Sequence, residues 1–401
     1  MAAHKEIWVM NFEHDLALAA NDPYYIAPKV ARAMNCDLRM LAFWLGETGK
    51  TWVMEEGNKR PHLNEHTQEA MQELGIDYTD KFISVSKKGK RMELEVSDEL
   101  RPWGWDPSVA FKPISYGVKH PVIPDLEHIR TWSHRNKTIS LLKTLAESGL
   151  FDSKQTPIET NDQQLIKTLC ENGQYLLKSP LSGSGRGLWW ALNGYDFNVE
   201  RWSKSIIERV GSVMIEPIWR KKSDYAMEFE CRNGQVEYVG LSHFEADSAG
   251  VYRCNRLEDD EQIEQQIASE IGDDKTVGQL KEAIGLWIIQ NIAPNYNGVV
   301  GIDMLTGEIG GETRLNPCVE INLRMTMGMA AHEFYRKWVK KGAHGEFATI
   351  HCKGEKELQE RAATRSQAHP IKISEGKIEE GYLLLTEDNG HYGIEIEIWK
   401  E

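Results

Sequence analysis

Near its start the chain carries EIWVMNF, a loosely alternating, β-rich run that predicts a first strand. LALAANDPYY after it reads as a loop or a short helix broken at Pro23. A second apolar run, LRMLAFWLG, follows, and strand-like and helical pieces continue to about residue 100. This region predicts an open α/β domain. Prolines then accumulate at 102, 107, 113, 121 and 124, which disfavours long regular elements and marks a boundary near residue 125.

Beyond that boundary HRNKTISLLKTLAESGLF spaces its apolar residues as an amphipathic helix, basic at its start and stopped at Gly149. A loop with Pro157 and the helix DQQLIKTLCENG lead into YLLKSP, a buried strand with a lysine at its end. WSKSIIERVG reads as a helix, SVMIEPIW as an apolar strand ending at Glu216 and Pro217, and YAMEFECR and QVEYVGLSHFE as antiparallel strands. The long amphipathic helix TVGQLKEAIGLWIIQNIAP precedes two short strands, GVVGIDML and PCVEINLR. The tail PIKISEGKIEEGYLLLTEDNGHYGIEIEIW alternates strongly, and its Asn-Gly pair predicts a terminal hairpin or small sheet.

Composition narrows the function classes. With 401 residues there is room for two or three domains, and 41% hydrophobic residues supply ordinary cores. The net charge of -14 is spread along the chain without a basic run, which argues against a nucleic-acid partner. Six cysteines lie far apart in no zinc-like pairing, as expected of reduced thiols in a cytoplasmic protein. No stretch is long enough to span a bilayer, and the N-terminal apolar run is interrupted by Glu13, His14 and Asp15, so neither export nor membrane insertion is expected.

Candidate chemistry sits in a few stretches. LAFWLGETGKTW suggests a P-loop, but Trp44 stands where that loop needs a glycine, so an exposed turn is expected. In YLLKSPLSGSGRGLWWA the strand lysine Lys178 runs into Ser182, Gly183, Ser184, Gly185 and Arg186. A leucine at 188 breaks the dinucleotide fingerprint. The stretch still offers backbone N–H groups, hydroxyls and charge to phosphate oxygens, the alternative being a flexible hairpin beside a snorkelling lysine. GVVGIDML and VEINLR place Asp303, Glu320 and Asn322 on short strands as hard oxygen donors of the kind magnesium prefers. Glu320, Asn322 and Arg324 alternate, so all three side chains are expected on one face, with Arg324 as a clamp for a phosphoryl group or carboxylate. Around SVMIEPIW, Glu216 and Ile218 can meet a purine edge, and Asp224 or Glu228 can accept from ribose hydroxyls.

The order of these pieces, a lysine-ended strand, a Gly/Ser loop, a strand ending in Glu, a Gly-x-Asp strand and Glu-x-Asn-x-Arg, resembles the ATP-grasp superfamily over roughly residues 125 to 335. The resemblance implies an open α/β pre-ATP-grasp domain at 1–125, ATP-grasp subdomains at 126–214 and 215–370, and a β extension at 371–401. It implies that Lys137 and Lys178 hold the phosphates of ATP, that the loop 182–187 closes over them, and that the segment 216–218 meets adenine. Asp224 becomes the ribose partner, with Glu228 and Glu230 within reach. Asp303, Glu320 and Asn322 bind Mg2+, or Mn2+ in its place, and Arg324 faces the transferred phosphoryl group.

Most ATP-grasp enzymes join a carboxylate to an amine through an acyl phosphate, so the expectation is an ADP-forming ligase whose small-molecule acid and amine stay unidentified. The rivals are an ATP-grasp kinase and a non-catalytic nucleotide-binding module. Candidate substrate contacts are Asn11 and Glu13, beyond the first strand, and Arg253 and Asn255, with Arg256 beside them. Charged residues in a strand-to-helix turn also serve as caps, and Trp103 and Trp105 as interdomain packing. Thirteen tryptophans allow an apolar homodimer interface.

Overall fold

The computed structural model describes residues 5–56, 61–85, 98–115, 122–182, 187–247 and 250–400. Two compact units emerge, one of Met1–Leu126, Arg253–Asp259 and Arg324–Glu401, the other of Glu127–Tyr252 and Asp260–Leu323.

The first unit opens with a parallel sheet of β1 (Glu6–Val9), β2 (Thr51–Glu56), β3 (Phe82–Val85) and β4 (Glu99–Pro102), in the order β3-β2-β1-β4. The chain steps outward from β1 through β2 to β3 and then returns to the other side of β1, so the order reverses between β1 and β4. LRMLAFWLG contains a short helix, Leu41–Leu45, whose first four side chains are all buried. Burial on every side is why its sequence shows no period. The turn after it leads into β2, a helix-to-strand order opposite to that of a P-loop, and Lys50 there pairs with Glu47 at 2.7 Å.

The same unit contains β11 (Tyr252–Leu257), mostly within its borders, with β14 (His344–His351), β17 (Tyr392–Trp399), β16 (Lys377–Leu384) and β15 (Lys372–Ser374) paired antiparallel in that order. In β17 Ile394, Ile396 and Ile398 face the core, while Glu395 on the other face receives both ends of Arg361, at 2.8 and 2.5 Å, and the Tyr382 hydroxyl at 2.9 Å. The alternation expected of the tail is therefore real, but its polar face meets charged partners. The expected terminal hairpin is present, β16 and β17 pairing antiparallel with β15 beside them, but its connection is longer than an Asn-Gly turn. Asn389 and Gly390 lie in a segment from 385 to 391 that runs through the interior, where Arg39 donates to buried Glu387 at 2.6 Å. Gly390 abuts the Asp37 carboxyl so closely that a Cβ would lie 2.2 Å from it.

These contacts explain why the units are not contiguous in sequence. The partition expected above follows the order of motifs along the chain, whereas residues 324–401 share one core with Trp8, Met10 and Trp44. The Trp44 indole donates to Leu385 O, and Trp338 donates to Trp44 O, both at 2.8 Å.

The second unit holds two antiparallel layers. β5 (Ile158–Thr160), β8 (Val213–Pro217), β6 (Tyr175–Lys178) and β7 (Leu188–Ala191) form one sheet in that order, packing Leu177, Val213 and Ile215 against the helices Gln163–Asn172 and Phe197–Val210. β13 (Glu312–Asn322), β12 (Gly298–Ile309), β9 (Arg220–Arg232) and β10 (Gln235–Ala246) form the other layer. There Tyr225, Met227, Phe229, Val300, Ile302 and Met304 share one buried face, beside the helix Thr276–Asn291. Among the described residues, no helix is long and apolar enough to cross a membrane.

Arg39→Ala leaves Glu387 buried without its guanidinium and is expected to destabilise the protein by about 3–5 kcal/mol. Chemical denaturation checks this, and Arg39→Lys should restore part of the loss.

Candidate functional site

The strand β6 alternates: Tyr175 and Leu177 enter the core, and Leu176 and Lys178 face the other way. Leu176 stands opposite Glu216 of β8 and Trp190 of β7, so these residues form one row across three strands, with Lys178 in the next. Lys178 is 6% exposed and forms an ion pair with Glu216. A lysine so enclosed needs a carboxylate partner, and the diagonal register supplies it. Trp190, half exposed beside Leu176, is an apolar surface that the sequence did not single out.

After Lys178 the chain turns. Ser179 N donates to Gly187 O at 2.8 Å, which closes the base of the glycine-rich loop. Gly187 has φ +68°, and a Cβ there would lie 2.9 Å from Ser179 Cβ and Ser182 Oγ, so the position requires glycine. Gly183, Ser184, Gly185 and Arg186 lie outside the described residues.

The cation that joins this turn to the other layer is Arg135, which the sequence reading passed over in favour of Lys137. Arg135 Nη1 donates to Ser179 O at 2.7 Å and to Ser182 Oγ at 2.5 Å, while Nη2 donates to Glu320 Oε1 at 2.9 Å. Lys137, the first residue of the helix Lys137–Glu147, rests over the Trp132 ring at 4.9 Å. The basic start of HRNK signalled a cation, but spacing alone does not decide which of its side chains turns inward.

On the facing layer Asp303 of β12 stands directly opposite Glu320 of β13, and Gly301 opposite Asn322. Two carboxylates opposed on neighbouring strands, with an amide next along, make an oxygen donor set suited to a hard divalent cation. Cys318 is wholly buried in the same strand. Burial, followed by the nearby Asp303 and Glu320 carboxylates, pushes its thiol well above the ordinary range, and Lys178 and Glu216 act on it as well. Arg135, bonded both to the turn after Lys178 and to Glu320, places the lysine pair and the opposed carboxylates on either side of one guanidinium.

Asp224 lies on the face of β9 that carries Glu228 and Glu230, next to Leu305 of β12. Burial raises its pKa, against the opposing pull of Lys221 at 2.5 Å. Glu228 is fully buried, and Glu230 accepts from Arg232 at 2.7 and 2.9 Å. Ile218 follows the end of β8 and is half-buried.

The remaining candidates belong to the first unit. The strand alternation expected through Arg324 stops with β13 at Asn322. Arg324 instead forks onto Asp15 in the first turn of the helix His14–Ala20, at 2.8 and 3.0 Å. Asn11 is buried and committed to structure, donating to Gly104 O at 2.8 Å and Asp106 at 3.0 Å while accepting from Gly104 N. Glu13 accepts from Asn35 at 2.6 Å. Asp106 holds the start of the helix Pro107–Ser115 through Ser108 N and Val109 N. Burial raises its pKa, but His14 and these bonds outweigh burial and leave it below the ordinary value. Asn255 is buried in β11 opposite Phe347, whereas Arg253 in the same strand is exposed. Arg256 pairs with Glu346 at 2.6 Å.

No protein-family model matches the sequence, and no curated protein is significantly similar to it. Solved structures do match across almost the whole chain. A biotin carboxylase from Campylobacter jejuni in complex with β,γ-ATP superposes with TM-score 0.52 at 12% identity, over 99% of this chain and 88% of that one. The biotin carboxylase domain dimer of a Hydrogenobacter thermophilus 2-oxoglutarate carboxylase, solved with MgADP, ADP and bicarbonate, gives 0.50 at 10% identity, over 100% and 87%. An N5-carboxyaminoimidazole ribonucleotide synthetase in complex with ADP gives 0.50 at 11% identity, over 99% and 92%.

Gly187→Ala forces a β-carbon into a left-handed position against Ser179 and Ser182. It should lower stability by about 1–2 kcal/mol or more, read as a fall in the thermal midpoint, whereas Gly211→Ala, whose Cβ would meet nothing within 4 Å, should show the conformational penalty alone.

Proposed function

Because this chain has the ATP-grasp fold, with an open α/β domain at its N-terminus, we propose that it is an ATP- and Mg2+-dependent ligase that joins a small-molecule carboxylate to an amine and releases ADP. The observation that carries this reading is the link, within one unit, that Arg135 makes between the turn after the buried Lys178–Glu216 pair and the opposed Asp303–Glu320 carboxylates. Lysine on one layer and oxygen ligands on the other suit a polyphosphate that carries its own divalent cation. The neighbours solved with adenine nucleotides, one of them with MgADP and bicarbonate, support the same assignment.

In this reading Lys178 holds phosphate oxygens, and Ser182, Gly183, Ser184, Gly185 and Arg186 cover them. Glu216 and Ile218 present the adenine edge, and Asp224 takes the ribose. Asp303, Glu320 and Asn322 hold Mg2+, or Mn2+ in its place, which neutralises charge on the phosphates. Arg324, oriented by its fork on Asp15, stabilises the transferred group.

A carboxylate oxygen of the substrate attacks the γ-phosphorus, the bond from that phosphorus to the bridging oxygen of ADP breaks, and an acyl phosphate forms. The amine then attacks the acyl carbon, the bond from that carbon to the phosphate oxygen breaks with its electron pair leaving on inorganic phosphate, and the amine proton passes to solvent. Catalysis is positioning and charge neutralisation, so no side-chain nucleophile is required.

Incubation with Mg2+, ATP and a pooled metabolite extract, followed by phosphorus NMR, should give extract-dependent ADP and phosphate. Formation of AMP would overturn the acyl-phosphate route, and a stable phosphorylated product with no need for an amine would make the protein a kinase. In the same assay Lys178→Ala should lose roughly a hundredfold or more in turnover. A folded Lys178→Ala protein that turns over normally would sink the assignment.

A further inference from the structure

The guanidinium of Arg135 does more than add positive charge. It is buried, and its two terminal nitrogens reach three groups on two elements: the carbonyl of Ser179, the hydroxyl of Ser182 and the Oε1 oxygen of Glu320. Its main chain is fastened to the same turn, because Arg135 N donates to Pro180 O at 2.9 Å. Thr138 Oγ1 donates to Arg135 O at 2.7 Å and fixes the residue to the start of its helix.

We infer that Arg135 is a positioning residue that locks the metal-side carboxylate Glu320 to the phosphate-side turn at Ser179 and Ser182, so that cation and nucleotide bind as one coupled unit. This rests on the reading of the site as one for a metal-bound nucleotide. By holding Oε1, Arg135 fixes the plane of the Glu320 carboxyl and leaves Oε2 for a cation shared with Asp303, which stands opposite. Groups that orient a metal-binding carboxylate commonly set its affinity nearly as strongly as the ligands themselves. The same guanidinium fixes Ser182 and the Ser179 carbonyl, so the turn after Lys178 and the carboxylate cannot shift independently. A lysine could not take this place. One ammonium lacks the planar fork that serves a carbonyl, a hydroxyl and a carboxylate together.

Coupling of this kind is reciprocal: what the metal gains from the nucleotide, the nucleotide gains from the metal. The experiment measures both sides in the full-length protein. Mn2+ affinity is read by electron paramagnetic resonance with saturating ADP, and ADP affinity by equilibrium dialysis with and without Mn2+, with thermal midpoints confirming the fold. Arg135→Gln should weaken Mn2+ binding in the ternary complex on the order of 10- to 100-fold while ADP binding in chelator changes much less. Arg135→Lys should fall between Arg135→Gln and wild type.

A folded Arg135→Gln protein with a lowered midpoint but unchanged Mn2+ coupling would reduce Arg135 to a structural role and overturn the inference. If Arg135→Gln does not fold, Arg135→Lys decides: wild-type coupling overturns the inference and weakened coupling supports it. A wild-type protein that binds no Mn2+ with ADP would instead overturn the reading of the site, and the inference with it.

Discussion

A charge withdrawn from water needs a partner, and in the second unit that requirement joins two sheets through Arg135 and Glu320. Lys178 on β6 is neutralised by Glu216 on β8, and Arg135 at the start of the next-door helix is neutralised by Glu320 on β13. The first pair reinforces a relation that the β6–β8 ladder already sets, whereas the second ties the turn after β6 to β13, which lies in a different sheet. Arg135, bonded to the Ser179 carbonyl and to Glu320, marks where the two layers converge. Removing one member of such a pair strands the other in a poorly solvated place, and this is why the charges stay matched across the cleft.

The first unit solves a different problem with the same means. Its strand order reverses between β1 and β4, and the carboxyl ends of strands at such a reversal are where open α/β sheets leave a crevice. Asn11 and Asp106 bridge that gap, and Asp106 also caps the helix that follows β4. Close by in sequence, Asp15 takes the fork of Arg324. Asn11 and Glu13, which the sequence offered as ligand contacts, therefore act first as fasteners of the β1 end, while Asp15 connects that end to a residue 309 positions later.

Much of the fold was legible because local pattern and burial agreed. The alternation of β17, the apolar stripe of the helix Thr276–Asn291 and the lysine-ended β6 each show in sequence the face they bury. Legibility failed where burial was total or came from afar. LAFWL has no polar face to set a period, and the Asn389-Gly390 pair signalled the terminal hairpin but not its long connection, because nothing local announced that Arg39 and Asp37 would draw the segment inward.

By itself the sequence determined the order of the chemical groups: a strand lysine, a glycine loop, a strand ending in glutamate, and carboxylates on two short strands. These depend on strand alternation, which is a local property. Only the tertiary structure decided which cation turns inward, because Arg135 and Lys137 are two residues apart at a helix start and differ by what lies above each, Glu320 and Ser182 for one, Trp132 for the other. It alone also decided that the alternating face of β13 ends at Asn322, leaving Arg324 to pair with Asp15. A strand's period is set by its own backbone, whereas its end and its partners are set by whatever the rest of the chain packs against it.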